Sequence, residues 1–168
     1  MKFKITSSIS NYQVFISKTK ALQMVDDKEV VFIIDRKVAS LYKNLFPDTP
    51  RKILINATEK NKDLTQIPQI FSKLKKLSFN KDQKIICVGG GILQDLTTFI
   101  ASVYMRGVDW EYYPTTLLSM VDSCLGGKSS INLSPYKNLI GNFHPPSKIS
   151  VLPQFIDTLS SEDKISGL

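Results

Sequence analysis

Nearly continuous apolar runs alternate with helical stripes along this chain. VVFII (30–34), KILI (52–55) and KIICV (84–88) have few polar positions, the pattern of parallel strands covered on both faces. YQVFI (12–16) and EYYP (111–114) are further strand-like runs. Between them, RKVASLYKNLF (36–46) and KDLTQIPQIFSKLKKL (62–77) read as helices. In the second, positions 64, 67, 70, 71, 74 and 77 form one apolar stripe, and Pro68 kinks or restarts it. ILQDLTTFIASVYM (92–105) reads as another helix. Strands alternating with helices predict βαβ units: an α/β, Rossmann-like parallel sheet with flanking helices. From position 114 the texture changes, and turn-formers crowd PTT, SCLGGKSS, LSPYKN and NFHPPSK. A loop-rich stretch beside a rigid sheet is where a site is built.

All eight glycines fall between positions 89 and 167, and three stand together at 89–91, between a predicted strand and a predicted helix. Backbone without side chains lets a ligand approach closely, and the first N–H groups of a helix point at an anion. The triplet therefore predicts a phosphate cradle, with a bare tight turn as the alternative. The earlier strand–helix junctions lack G-x-G-x-x-G, so this is not the standard dehydrogenase arrangement.

Length and composition fit one ordinary globular domain: 168 residues, 42% hydrophobic and 22% charged. No apolar run approaches the roughly 20 residues of a membrane span. The start, MKFKITSSISNYQVF, lacks the apolar stretch of a signal peptide, which predicts a cytoplasmic protein without a membrane partner. The net charge is +7, much of it from Lys60, Lys62, Lys73, Lys75, Lys76, Lys81 and Lys84. These read mostly as a solvated helix face. No basic residues are interleaved with base-reading aromatics, which argues against nucleic acid, whereas anionic small molecules suit the charge. Cys87 reads as a small core residue and Cys124, beside a glycine pair, as more exposed. His144 lacks companions for a three-ligand metal set, so no metal ligands are predicted.

Individual residues add candidate chemistry. Asp35 closes a strand, where a carboxylate either holds ribose hydroxyls or caps the next helix. Asp95 is placed on the first turn of the helix after the glycines, either as a dipole partner or as an acceptor for a nucleotide. Glu59 and Lys62 are spaced to interact across one turn, though surface charge is the plainer reading. Thr115 and Thr116 follow a strand and either bind a polar ligand or cap a helix. Gly127-Lys128-Ser129 is not a Walker motif, yet Lys128 offers a point charge to phosphate or carboxylate. Lys137 and Asn138 add a cation and an amide, and Arg106 a fork for phosphate.

In this order the pieces resemble the 3-dehydroquinate synthases and their relatives, the sugar phosphate cyclases. The matching text is ExxK (59–62), GGGxxxD (89–95), YMRG (104–107), PTTLL (114–118), VDSxxGGK (121–128), IN (131–132), KNLIGNFHPP (137–146) and FIDTL (155–159). GGGxxxD alone is also similar to the loop of glycerol and iron-dependent alcohol dehydrogenases. The resemblance implies that residues 1–168 are an NAD-binding N-terminal domain, followed in the family by a helical domain carrying the metal ligands. It assigns Asp35, Glu59, Lys62, Gly90, Gly91, Asp95, Thr115, Thr116, Phe155 and Thr158 to NAD. It places Asp122, Lys128, Lys137 and Asn138 where cofactor meets substrate, and has Arg106 reach the substrate phosphate across a homodimer interface. Asp122, Lys128, Asn138 and Arg106 are the residues it gives to catalysis.

The implied substrate is a seven-carbon sugar acid phosphate. Its alcohol is oxidised by NAD, phosphate is eliminated, the carbonyl is reduced, and the ring reopens and closes in an aldol step. A divalent metal, zinc or cobalt, polarises a substrate oxygen. Gln94 stands where the family usually has glycine, and Asp163 where glutamate is usual. The family's first metal-binding glutamate follows the point where this sequence stops, so the chain by itself is expected not to complete the reaction. A related cyclase acting on another sugar phosphate, and a non-catalytic nucleotide-binding module, are the competing readings.

Overall fold

The computed structural model describes residues 1–17, 28–46 and 48–167. Strand β1 (Lys2–Ile5) runs antiparallel to β2 (Tyr12–Ile16). Next come β3 (Val30–Asp35), helix α1 (Arg36–Leu41), β4 (Lys52–Ile55), α2 (Ile67–Lys76), β5 (Lys84–Gly89), α3 (Gly91–Val103) and β6 (Asp109–Pro114). A separate hairpin, β7 (Ile131–Leu133) with β8 (Tyr136–Ile140), precedes β9 (Lys148–Val151) and the short α4 (Ser161–Ile165). Seven strands form one sheet in the order β1-β2-β9-β6-β5-β3-β4, parallel throughout except for the β1–β2 pair. The α/β, Rossmann-like expectation holds.

The apolar runs work as predicted, because successive strand residues point to opposite faces. Val31, Ile33, Ile85 and Cys87 join Ile70, Leu74, Leu96 and Ile100 in one core. Their alternates Val30, Phe32, Ile34, Ile86 and Val88 join Val38 and Phe155 in the other. Both faces of β3 and β5 are therefore covered, by α2 and α3 on one side and by α1 with the Pro153–Thr158 turn on the other.

Several boundaries differ from expectation for identifiable reasons. The helix predicted over 62–77 is three pieces: 3-10 turns at Glu59–Lys62 and Leu64–Gln66, then α2 with Pro68 in its first turn. Asp63 breaks it by adopting an extended conformation, φ −89° and ψ 146°, and capping Thr65 N at 2.9 Å. The helix over 36–46 stops at Leu41 and continues as a 3-10 turn at Lys43–Leu45. After α3 the chain takes positive φ at three successive residues, Met105 (49°), Arg106 (66°) and Gly107 (110°). Strands β1, β7, β8 and β9 were not predicted. Cys124, expected to be more exposed, is buried at 3%.

Two polar ties join neighbouring elements of the sheet and its helices. Arg51 donates to Val30 O (2.9 Å), Leu77 O (2.7 Å) and Gln83 Oε1 (3.0 Å), joining the start of β3 to the end of α2. Buried Glu111 on β6 takes Lys84 of β5 at 2.8 Å and Lys148 of β9 at 3.5 Å. Burial disfavours the Lys84 ammonium, but the hydrogen bond and charge of Glu111 outweigh it and hold Lys84 above its ordinary range.

Candidate cofactor-binding site

The glycine triplet ends β5 and starts α3. Gly89 O accepts from Thr115 N (3.0 Å) and from the buried Tyr112 hydroxyl (3.1 Å), which fixes the strand end beneath the helix. Gly90 is the N-cap and supplies no capping side chain. The first-turn N–H groups of α3 thus lack intrahelical partners and are available to an anion. A Cβ at Gly90 would meet Thr116 Cγ2 at 2.9 Å, so the close approach of the two loops requires glycine there.

Against this turn lies a cavity of about 290 Å³, near the lower end for small-molecule sites. Asp35, Gly90, Gly91, Thr115, Thr116, Phe155 and Thr158 line it, at the carboxyl ends of β3, β5 and β6. Asp35 caps α1, its Oδ1 accepting from Lys37 N at 2.9 Å, the capping arrangement that was one of its two readings. Burial raises its pKa, against the pull of that hydrogen bond. Phe155 is a buried wall, set edge-on to Tyr42 with ring centroids 4.9 Å apart. The Tyr42 hydroxyl lies 2.9 Å from Thr158 Oγ1 and donates to Gln154 O at 2.8 Å. Lys37, Tyr42 and Asp163 also line the cavity; Lys37 and Tyr42 were not singled out in sequence, since neither has a motif around it.

On the other side of the glycine turn is a charged cluster. Lys62 is not on the solvated face: it is 6% exposed. Its ammonium donates to Asn138 Oδ1 at 2.9 Å and to Asp95 Oδ2 at 3.2 Å, with Glu59 Oε1 at 3.7 Å. Asp95 falls just past the first turn of α3, because the helix begins at Gly91, one residue earlier than expected. Burial pushes its pKa up, while Lys62 and Lys128 pull the other way. Asn138 has φ 55° and is held by Asn132, whose Oδ1 accepts Asn138 N at 2.8 Å and whose amide reaches Glu59. Asp63 anchors the same hairpin, accepting from Ser134 N (3.1 Å) and Oγ (2.7 Å). The hydrogen bonds of Thr65 and Ser134 hold its carboxyl far below the ordinary aspartate range.

The family model described as 3-dehydroquinate synthase N-terminal matches residues 52–166. A 3-dehydroquinate synthase of Natranaerobius thermophilus is 34% identical over 96% of this chain and 47% of its own length. The chain belongs to the 3-dehydroquinate synthase family. It spans about half the length of the curated relatives it matches. The solved structure of 2-deoxy-scyllo-inosose synthase shares the fold, with a TM-score of 0.83 at 21% identity over 99% of this chain and 51% of that one. A 2-epi-5-epi-valiolone synthase from Streptomyces hygroscopicus, with NAD+ and Zn2+ bound, has a TM-score of 0.82 at 25% identity over 95% of this chain and 47% of its own.

Not every residue expected at the family's site converges. Glu59 and Lys137 line a second cavity of about 340 Å³ beside the hairpin. Asp122 is exposed on a single π-helical turn, Ser119–Ser123, and Lys128 is exposed beyond Gly127. Gly127 has φ 62°, and a Cβ there would meet Pro145 Cα at 2.4 Å, so the bend that delivers Lys128 needs glycine. Arg106 lies at the far end of α3, about 20 Å from the glycine turn at 1.5 Å per residue, exposed on the positive-φ segment. Sequence reasoning missed Asp63 and Ser123, whose contacts lie far along the chain. His144 is structural: its ring meets Val108 O at 3.1 Å and its carbonyl accepts from Trp110 Nε1 at 3.0 Å. Among the described residues, no group of three or more His, Cys, Asp or Glu is placed to hold a metal ion. Nor is any helix among them long and apolar enough to cross a membrane.

Proposed function

We propose that the chain is the NAD-binding N-terminal part of a 3-dehydroquinate synthase, which converts a seven-carbon sugar acid phosphate to 3-dehydroquinate and phosphate. The observation that carries this reading is the cavity at the glycine turn, where Asp35, Gly90, Gly91, Thr115, Thr116, Phe155 and Thr158 meet. The fit to a dinucleotide is chemical as well as spatial. Asp35 spends one oxygen on the α1 cap and keeps the other for ribose hydroxyls. The uncapped N-terminus of α3 presents donors to the pyrophosphate. Phe155 and Val38 supply apolar wall for a base.

The second nucleoside then lies past the glycine turn, on the side of Lys62, Asp95 and Asn138. There Lys62, buried among Asn138, Asp95 and Glu59, is held in one place and offers a fixed polar pattern for an amide and a ribose. Bound NAD supplies hydride acceptance and return at the substrate alcohol. Lys128 and Asp122, on the loop above, orient the substrate at that end, with Lys128 attracting its carboxylate or phosphate. Arg106 is too far along α3 to serve the same subunit's glycine turn, which supports its reaching the phosphate of a partner subunit in a homodimer. The zinc or cobalt of the family has no three-ligand seat among the described residues.

Titration calorimetry with NAD tests the reading. The chain is expected to bind NAD, and Lys62→Met to weaken binding about tenfold, the loss of one charge-assisted hydrogen bond. Absence of NAD binding at millimolar concentration would overturn the reading in favour of a non-catalytic module. Binding that Lys62→Met leaves unchanged would remove the charged cluster from the cofactor site.

A further inference from the structure

We propose that Gln94 is a positioning residue that couples the glycine turn to the loop carrying Asp122 and Lys128. The proposal rests on the NAD reading above.

Gln94 immediately precedes Asp95 in α3, yet its side chain points elsewhere and is buried at 2%. Both ends of the amide are used on one residue. Its Nε2 donates to Ser123 O, and its Oε1 accepts from Ser123 Oγ at 3.0 Å. A carboxamide that satisfies both a carbonyl and a hydroxyl of the same residue fixes that residue in distance and in orientation. Ser123 is the last residue of the π-helical turn Ser119–Ser123, and Asp122 is its neighbour within it. Single π turns are a rare form concentrated at functional sites.

The turn's other ties run elsewhere. Ser119 Oγ bonds to Thr116 (2.8 Å), and Cys124 N returns to Ser119 O at 3.1 Å. Gly126 N donates to the Tyr12 hydroxyl at 3.0 Å, fastening the following bend to β2. Those contacts hold the loop to β2 and to the end of β6. Gln94 ties it to α3, the helix whose first turn faces the pyrophosphate and whose Asp95 faces Lys62. Ser123 also stands directly at that first turn, with its Oγ 3.8 Å from where a Gly91 Cβ would be. The clamp therefore sets the distance between the anion-binding helix end and the Asp122–Lys128 loop. Losing it leaves the cavity lined by Asp35 and Phe155 in place, since neither Gln94 nor Ser123 lines it.

The test compares NAD with ADP-ribose, which lacks the nicotinamide, by calorimetry on the full chain and its Q94G, Q94E and S123A variants. Q94E keeps an acceptor for Ser123 Oγ but cannot donate to Ser123 O. The clamp predicts that ADP-ribose affinity stays within about twofold of wild type, while preference for NAD over ADP-ribose falls about fivefold to tenfold, the worth of one well-placed hydrogen bond. Hydrogen exchange should show NAD protecting amides of both 89–95 and 119–128 in wild type, and only the first set in Q94G. A purely structural Gln94 would weaken both ligands equally, and an unchanged NAD preference in all folded variants would overturn the proposal. Should Q94G not fold, the same ratio in Q94E and S123A decides. Wild type binding neither ligand would sink the NAD reading and this proposal together, an outcome distinct from either failure above.

Discussion

The parallel sheet and the loop-rich stretch after it are held together by different forces. In β3 and β5, Val31, Ile33, Ile34, Ile85 and Val88 are at 0% exposure, and no side-chain hydrogen bond is needed to keep them there. The stretch from Thr115 to Ser147 leaves Leu118, Val121, Leu139 and Phe143 between 45% and 64% exposed. It is fastened instead by polar pairs: Lys62 to Asn138, Asp63 to Ser134, Gln94 to Ser123, and Ser129 to Asn142. Apolar burial is non-directional and proportional to area, so it makes a stiff platform. Hydrogen-bonded pairs are directional and individually modest, so they hold a shape precisely while leaving it able to open locally. The candidate site has both, one on either side of its glycine turn.

The largest expected effect lies in the sheet. Ile33 lies between Ile53 of β4 and Cys87 of β5 and is at 0% exposure. Ile33→Ala is expected to cost about 3–4 kcal/mol in urea unfolding, the transfer term plus a cavity. A loss under about 1 kcal/mol would mean the site can collapse, contrary to close packing.

Asp63→Asn carries the comparison to the loops. It removes the charged acceptor shared by Thr65 and Ser134. Amide exchange over 131–140 is expected to quicken while the global unfolding midpoint moves far less than in Ile33→Ala. The pH dependence follows from the sign of the shift. A carboxyl held below its ordinary value contributes stability that is present above 3.8 and is lost as pH falls beneath it. Hairpin protection in wild type should thus decline below about pH 4, and Asp63→Asn should abolish that decline. Equal loss of protection in β5 would show that hairpin and sheet open as one unit.

The same contrast decides what could be read from the residues alone. The strands at 30–34, 52–55 and 84–88 were legible because their burial on both faces leaves an uninterrupted apolar run. Strand β9 was not, because KISV follows NFHPPS and only its last three residues are buried. Lys62 was read as a surface charge, since helical periodicity places it among other lysines, and its partner Asn138 is 76 residues away. Asp63 looked like a helix residue; its carboxylate caps a new turn instead. The glycine turn and the acidic end of β3 were visible as motifs, whereas the Gln94–Ser123 clamp joins positions 29 apart and follows no periodicity.

The smallest effect, and the most direct probe of the difference, uses the two cysteines. Burial pushes the Cys87 thiol up to about 12 and the Cys124 thiol up to about 11, so little thiolate exists in the native protein at pH 8. Both should resist iodoacetamide in the native state and react when unfolded, as mass spectrometry would record. Their protection has different origins. Cys87 lies in β5 and is exposed only when the sheet unfolds, whereas Cys124 closes the π turn and is freed by local opening of that loop. Slow labelling should therefore reach Cys124 first, with Cys87 tracking global unfolding, and bound NAD should slow Cys124 selectively. Equal rates at the two thiols would mean that the loop is as cooperative as the sheet and that the polar fastenings are worth more than their number implies.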